Sequence, residues 1–188
     1  GGLELATLVF MDLEEDPDGD IELKGIKFKR MPRSIVDTGY GLERLVWASQ
    51  GTPTIYEAVF PDAVSHLTKL TNLKDSLENS SSIISENAKI CGVLSIDYGS
   101  DLTELRQKVL DRLNAAGHSM TLPEFTSAIE PLEKLFAVVD HSRALAFMFG
   151  DGIVPSNVKA GYLARMVLRR TVLLLRDLDA QDALSEMV

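Results

Sequence analysis

Cysteine, tryptophan and histidine are scarce in this 188-residue chain, which holds one, one and three of them. With Cys91 alone, no intrachain disulfide can form, and a zinc cluster lacks the thiolates it would need. Cys91 lies among Ile90, Gly92, Val93 and Leu94, a setting that suits a buried structural thiol better than a nucleophile. His66, His118 and His141 are too scattered to suggest a metal site. No apolar run approaches the roughly 20 residues of a membrane span. The first residues, Gly1-Gly2-Leu3-Glu4, lack the basic region of a secretory signal. A reducing, cytoplasmic setting is expected. An initiator Met is missing, and Ser185-Glu186-Met187-Val188 breaks off in helical pattern without a capping Gly. Both ends read as cut, so a piece of a longer chain is expected.

Apolar and charged contents of 45% and 25% are ordinary for a soluble globular protein. The net charge of −9 speaks against a polyanion partner, but its distribution does not. From His141 to Arg176 the basic residues are Arg143, Lys159, Arg165, Arg169, Arg170 and Arg176, against the acid Asp151, a window of +5. A basic stretch inside an acidic chain is an asymmetry that marks nucleic-acid contact.

Residues 3–11 read as an apolar strand, and 21–29 as a second with an irregularity at Gly25. An acidic tip joins them, so a hairpin is expected. Asp16, Asp18 and Asp20 have calcium-loop spacing, but Ile21 stands where such a loop needs Gly and Lys27 where it needs the closing Glu. A solvated loop is expected there. Ser34-Ile35-Val36 forms a third strand leading into Asp37-Thr38-Gly39-Tyr40-Gly41-Leu42-Glu43-Arg44 and a helix that Gly51 stops. From residue 62 the pattern turns helical: about 62–71, 81–95, 101–116, 122–150, 158–177 and a start at 179. A capping box from Asp101 to Glu104, Gly117 as a stop and Pro123 in a first turn support these spans. The fold class is therefore α+β and predominantly helical, with a β-rich piece over 1–60 and an all-α piece over 61–188.

Two features carry chemistry. In the Asp37–Arg44 octet, two glycines let the backbone approach a ligand closely, while Asp37 suits an ammonium and Arg44 a phosphate. A glycine turn carrying a surface Glu-Arg pair is the plainer alternative, and the octet alone does not separate them. On the 158–177 helix, Arg165, Arg169 and Arg176 fall within about 40° of one another, with Leu163, Val167 and Leu174 opposite. Arginine forks bind phosphates, and Asn157 at the helix start can aim an amide at a base edge. A solvated arginine face is the alternative.

The octet resembles motif 3 of a class II aminoacyl-tRNA synthetase in its alanyl form. Upstream, Gly2 to Met11 resembles the preceding strand in the archaeal style. Downstream, Asp140-His141-Ser142-Arg143-Ala144-Leu145-Ala146-Phe147, Asp151 to Asn157 and Gly161 to Arg170 resemble that family's tRNA-recognition helices. Residues 60–135 match less distinctively. The resemblance implies the remnant of a class II antiparallel sheet, followed by a helical tRNA-recognition domain. It implies an alanine–tRNA ligase as parent, joining alanine to AMP and then to tRNA(Ala), with ATP as substrate and Mg²⁺ in the full enzyme. Asp37 and Arg44 would be its catalytic residues. Asp37 would pair with the alanine ammonium, Gly39 and Gly41 would leave space, and Val9 and Thr7 would line the small pocket. Arg44, with Glu43 beside it, would serve the nucleotide. Asn157 would read a G·U wobble pair in the acceptor stem, with Arg143, Lys159, Arg165, Arg169 and Arg176 on the RNA backbone. Motifs 1 and 2 would precede Gly1, so this stretch alone would hold half an active site. Two rivals stand beside this reading: a non-catalytic RNA-binding or regulatory module, and an interaction domain without nucleic acid.

Overall fold

The computed structural model describes residues 3–91 and 102–187. Two compact units emerge, 3–45 and 46–187. The first is a three-stranded antiparallel sheet, β1 (Ala6–Glu15), β2 (Ile21–Leu23) and β3 (Ile26–Tyr40), in the order β1-β3-β2. None of its described residues is buried.

The expected hairpin is built differently from the alternation reading. Gly25 is no irregularity within a strand; Lys24 and Gly25 both have positive φ, 53° and 82°, and together form the tight turn between β2 and β3. Consecutive left-handed residues match the twist of the flanking strands, hence the selection of Gly at one of them. The acidic tip does join β1 to β2, but β1 pairs with β3 and not with β2; Asp16 is fastened in the tip by Lys29 at 2.7 Å and by the Asp18 amide at 2.9 Å. The Lys29 ammonium, hydrogen-bonded to it, holds the Asp16 carboxyl below its usual range. Met31-Pro32-Arg33 lies within β3, which continues to Tyr40. The β1–β3 ladder jumps from Met11↔Ile35 to Leu13↔Arg30. Pro32 therefore sits in the unpaired bulge, where its missing N–H removes no ladder bond.

The helical unit contains α2 (Ile55–Val59), α3 (Pro61–Leu70), α4 (Lys74–Asn79), α5 (Ser81–Cys91), α6 (Leu102–Ala115), α7 (Leu122–Gly150), α8 (Lys159–Asp177), a 3₁₀ turn and α9 (Leu184–Met187). The helix α1 (Leu42–Gln50) spans the division between units. The sequence pattern misses α2 and α4, which are too short to display a helical period. Even so, α2 carries a full capping box between Thr54 and Glu57. The Asp101 cap, the Cys91 side chain and the helix expected beyond 91 lie outside the described residues.

The core is threaded by α7, whose Phe125, Ile129, Leu132, Leu135, Val138 and Val139 are buried against Val64, Leu67, Leu113 and Leu175. Four helices end alike. After α3, α6, α7 and α8 comes a residue with positive φ (Asn72, Gly117, Gly152, Asp179), and the next amide reaches back to a carbonyl five residues earlier. Among the described residues, no helix is long and apolar enough to cross a membrane.

Candidate functional site

The sheet brings four of the sequence-predicted residues onto one face. Val9 lies directly opposite Asp37 and Thr7 opposite Gly39 in the β1–β3 register. Directly paired residues share a face, as do residues two apart on a strand, so Thr7, Val9, Asp37 and Gly39 form one patch. The Asp37 carboxylate is exposed and, among the described residues, has no hydrogen-bond or ion-pair partner. Nothing approaches within 4 Å of the position a Cβ would take on Gly39. The patch thus offers an unpaired anion beside open space at Gly39.

The two glycines have different duties. A Cβ on Gly41 would stand 3.1 Å from Arg44 Cδ and 3.2 Å from its Cγ, so this glycine makes room for the stem of Arg44. The Gly41 amide donates to the Leu5 carbonyl at 3.0 Å and continues the β1–β3 ladder. Arg44 Nη1 donates to the Glu4 carbonyl at 2.9 Å, and Glu4 also accepts a hydrogen bond from the Thr7 hydroxyl. One N–H of the guanidinium braces the start of β1, and its other donors remain for a ligand. Glu43 sits beside it in the first turn of α1. The brace at Glu4 escaped sequence reasoning, because nothing local announces a bond spanning 40 residues.

In the helical unit, Arg165, Arg169, Arg170 and Arg176 are exposed on α8. The buried face of α8 is not the expected one. Gly161, Ala164, Thr171 and Leu175 are buried, about 90° around the helix from Leu163, Val167 and Leu174. Small residues bring α8 close to α7, leaving Leu163 45% exposed. Thr171 is buried and donates to the Val167 carbonyl at 2.9 Å. Having spent its hydrogen, it accepts from His141 Nδ1 of α7 at 3.2 Å, so the neutral ring carries its proton there. Burial holds the His141 pKa below its ordinary value; Arg170 adds to this and Asp140 opposes it.

Before α8 the chain folds back on itself. The Ser156 amide donates to the Gly161 carbonyl at 2.9 Å, and the Ser156 hydroxyl bonds within the Ser156–Val158 turn. Asn157 is exposed in this turn, and its Oδ1 accepts from Arg165 Nη1. Lys159 follows with a positive φ of 50°. Arg143 does not join this group. It projects from α7 some 200° around from His141, with its guanidinium over the rings of Phe60 at 5.4 Å and Phe147 at 5.7 Å.

The whole described chain falls under one family model, tRNA synthetases class II (A), which matches residues 3–188. The chain belongs to the class II tRNA synthetases. Over all of its length it is 52% identical to an alanine–tRNA ligase of Methanosarcina mazei. It is 50% identical to one of Methanococcoides burtonii and 45% identical to one of Archaeoglobus fulgidus. In each case it spans about a fifth of the relative's length (20%). These are archaeal proteins, in keeping with the style of the strand before the octet. The α+β, mainly helical class is that of the observed synthetase chain.

A further cavity of about 290 Å³ lies in the helical unit of this synthetase chain, walled by Trp47, Tyr56, Ile84, Ile129 and Phe136. Tyr56 stacks on Phe136 with ring centroids 4.9 Å apart, and burial, helped by the charge of Asp140, pushes its hydroxyl pKa up. Glu133 at the rim is paired with Arg106 at 2.7 Å. None of the residues expected at the functional site lines it.

Proposed function

We propose that this chain is part of an alanine–tRNA ligase. It supplies one wall of the alanyl-adenylate site and the surface that reads the tRNA(Ala) acceptor stem. The observation carrying the proposal is the β1–β3 register, which gathers Thr7, Val9, Asp37 and Gly39 on one face. Residues 1–60 are then the end of the catalytic domain, and 61–188 the tRNA-recognition domain.

The chemistry follows from the patch. An exposed, unpartnered Asp37 suits the ammonium of an amino acid, and a charge-assisted hydrogen bond to it anchors the substrate. The open space at Gly39 admits a methyl, with Thr7 directly across the ladder and Val9 beside it across from Asp37. A methyl offers little binding energy, so such a site selects by excluding anything larger. Arg44 and Glu43 leave the same turn on α1. As ATP reacts, negative charge grows on the α-phosphoryl group, and a guanidinium already braced on Glu4 meets that charge without reorganising. Mg²⁺ in such an enzyme would neutralise further phosphate charge. Among the described residues, no group of three His, Cys, Asp or Glu side chains could hold it. Asn157 and the α8 arginines meet the acceptor stem, whose shallow minor groove offers base edges and 2′-hydroxyls to an amide. Arg143 and Lys159 add backbone contacts from outside the stripe. The parent works in the cytoplasm, where its tRNA is.

In the complete ligase, Asp37→Asn should lower alanine-dependent ATP–pyrophosphate exchange about 10- to 100-fold, the worth of a hydrogen bond to a charged group. Near-normal exchange would sink the ammonium role. Exchange that stays absent in the unaltered complete protein, alongside intact tRNA binding, would favour the RNA-binding module instead.

A further inference from the structure

We infer that Arg165 is a positioning residue that sets the orientation of the Asn157 amide, and is not one more phosphate contact. The inference rests on the base-reading role proposed for Asn157. Three observations carry it.

Arginine has five N–H donors and no acceptor, so whichever atom of Asn157 faces it must be the carbonyl oxygen. The contact runs from Arg165 Nη1 to Asn157 Oδ1. An isolated asparagine amide can turn over and exchange its oxygen for its nitrogen; this one is held. With Oδ1 engaged, the two Nδ2 hydrogens are the groups left to face a ligand. Asn157 therefore offers donors, and the atoms it can read are acceptors on a minor-groove edge, such as a pyrimidine O2 or a purine N3.

Arg165 also stands apart from its neighbours on the stripe. Among the described residues, the Arg169, Arg170 and Arg176 guanidiniums have no hydrogen-bonded or ion-paired side chain, whereas that of Arg165 is committed. Finally, the loop carrying Asn157 is fixed at its base. Ser156 is tied to Gly161 at 2.9 Å, and Gly161 has no Cβ to keep the loop away. A fixed backbone and a held amide leave a single donor direction.

The test is a binding series on the complete ligase, with acceptor-stem duplexes carrying either G·U or G·C at the wobble position. Arg165→Ala should reduce the G·U preference about three- to tenfold, part of what one good base contact supplies. Arg169→Ala should weaken both duplexes alike and leave their ratio untouched. Because Arg165 acts through Asn157, adding Arg165→Ala to Asn157→Ala should remove no further preference. Both side chains are exposed, so thermal midpoints should stay put. If Asn157→Ala flattens the preference but Arg165→Ala leaves the ratio intact, the positioning role is overturned and the base-reading role survives. If Asn157→Ala changes nothing, the base-reading role fails and the inference falls with it.

Discussion

Gly161→Ala puts a methyl group where the structure has no room for one. A Cβ on Gly161 would stand 2.2 Å from Ser156 Oγ, 2.5 Å from the Val154 carbonyl oxygen and 3.0 Å from Ser156 Cβ. The hydroxyl can rotate away, but the carbonyl is main chain. Relief requires the 154–157 loop to retreat from α8 by about an ångström, since carbon and oxygen otherwise overlap deep inside their repulsive walls. Overpacking of this kind costs about 1–3 kcal/mol, and replacing Gly by Ala inside a helix returns about 1 kcal/mol. The net change in stability is then about 0–2 kcal/mol, a shift of up to about 8 °C. Specificity should suffer far more. The loop carries Asn157, and an ångström of displacement separates a hydrogen bond from none. In equilibrium binding to the paired acceptor-stem duplexes, Gly161→Ala should cost about tenfold or more in G·U preference, while affinity for the G·C duplex, held by arginines farther along α8, changes little. A second variant locates the cause. Ser156→Gly with Gly161→Ala removes the two side-chain clashes but leaves the Val154 carbonyl at 2.5 Å, so it should recover little. A variant that keeps both its preference and its thermal midpoint would refute the claim that Gly161 sets the loop.

Acid should loosen the α7–α8 contact. The folded-state pKa of His141 is depressed, so the unfolded chain takes up its proton first; stability is full above about pH 6.5 and declines as pH falls through that value. Urea midpoints at pH 7.5 and 5.5 should show the decline, and His141→Gln should shrink it; an unchanged difference would remove His141 as its source. Leu135→Ala, at a side chain with no exposed surface, should cost about 2–5 kcal/mol in chemical denaturation. Thr54→Ala removes the acceptor of the Glu57 amide and should cost about 1 kcal/mol. Raising salt from 50 to 200 mM should weaken acceptor-stem binding about 10-fold or more, and Arg169→Ala should flatten that slope by about one unit.

The long elements were legible because period and punctuation agree. The span 122–150 expected for α7 is the one observed, opened by the Thr121–Glu124 capping box and closed at Asp151-Gly152. Pro131 sits inside it without ending it, since core packing on both sides outweighs one missing donor. Gly117 announced the end of α6, whereas the same closing turn after α3 and α8 uses Asn72 and Asp179, which pattern reading passes over. The face of α8 was misread because hydrophobicity alone ranks Leu163 above Gly161. Close packing against α7 selects small residues instead, and a buried Thr171 is acceptable once His141 and the Val167 carbonyl satisfy it. In the sheet, the residues of the patch could be named from the octet and its upstream strand. Their presence on one face could not, because that depends on a register set 30 residues away along the chain.

The bulge in β3 bears on that register. Between the paired positions on either side of it, β1 spends one residue, Asp12, while β3 spends four, Met31 to Ser34. A continuous ladder transmits every insertion along its length, because one added residue turns all later side chains to the opposite face. A break of this size acts as an expansion joint. Length changes in the Asp16–Asp20 tip or the Lys24-Gly25 turn are absorbed there, while Val9 and Asp37 stay in step. The tip can therefore be lengthened, shortened or fitted with a reporter peptide without disturbing the patch beyond the joint, whereas one residue added between Ala6 and Met11 would separate its members.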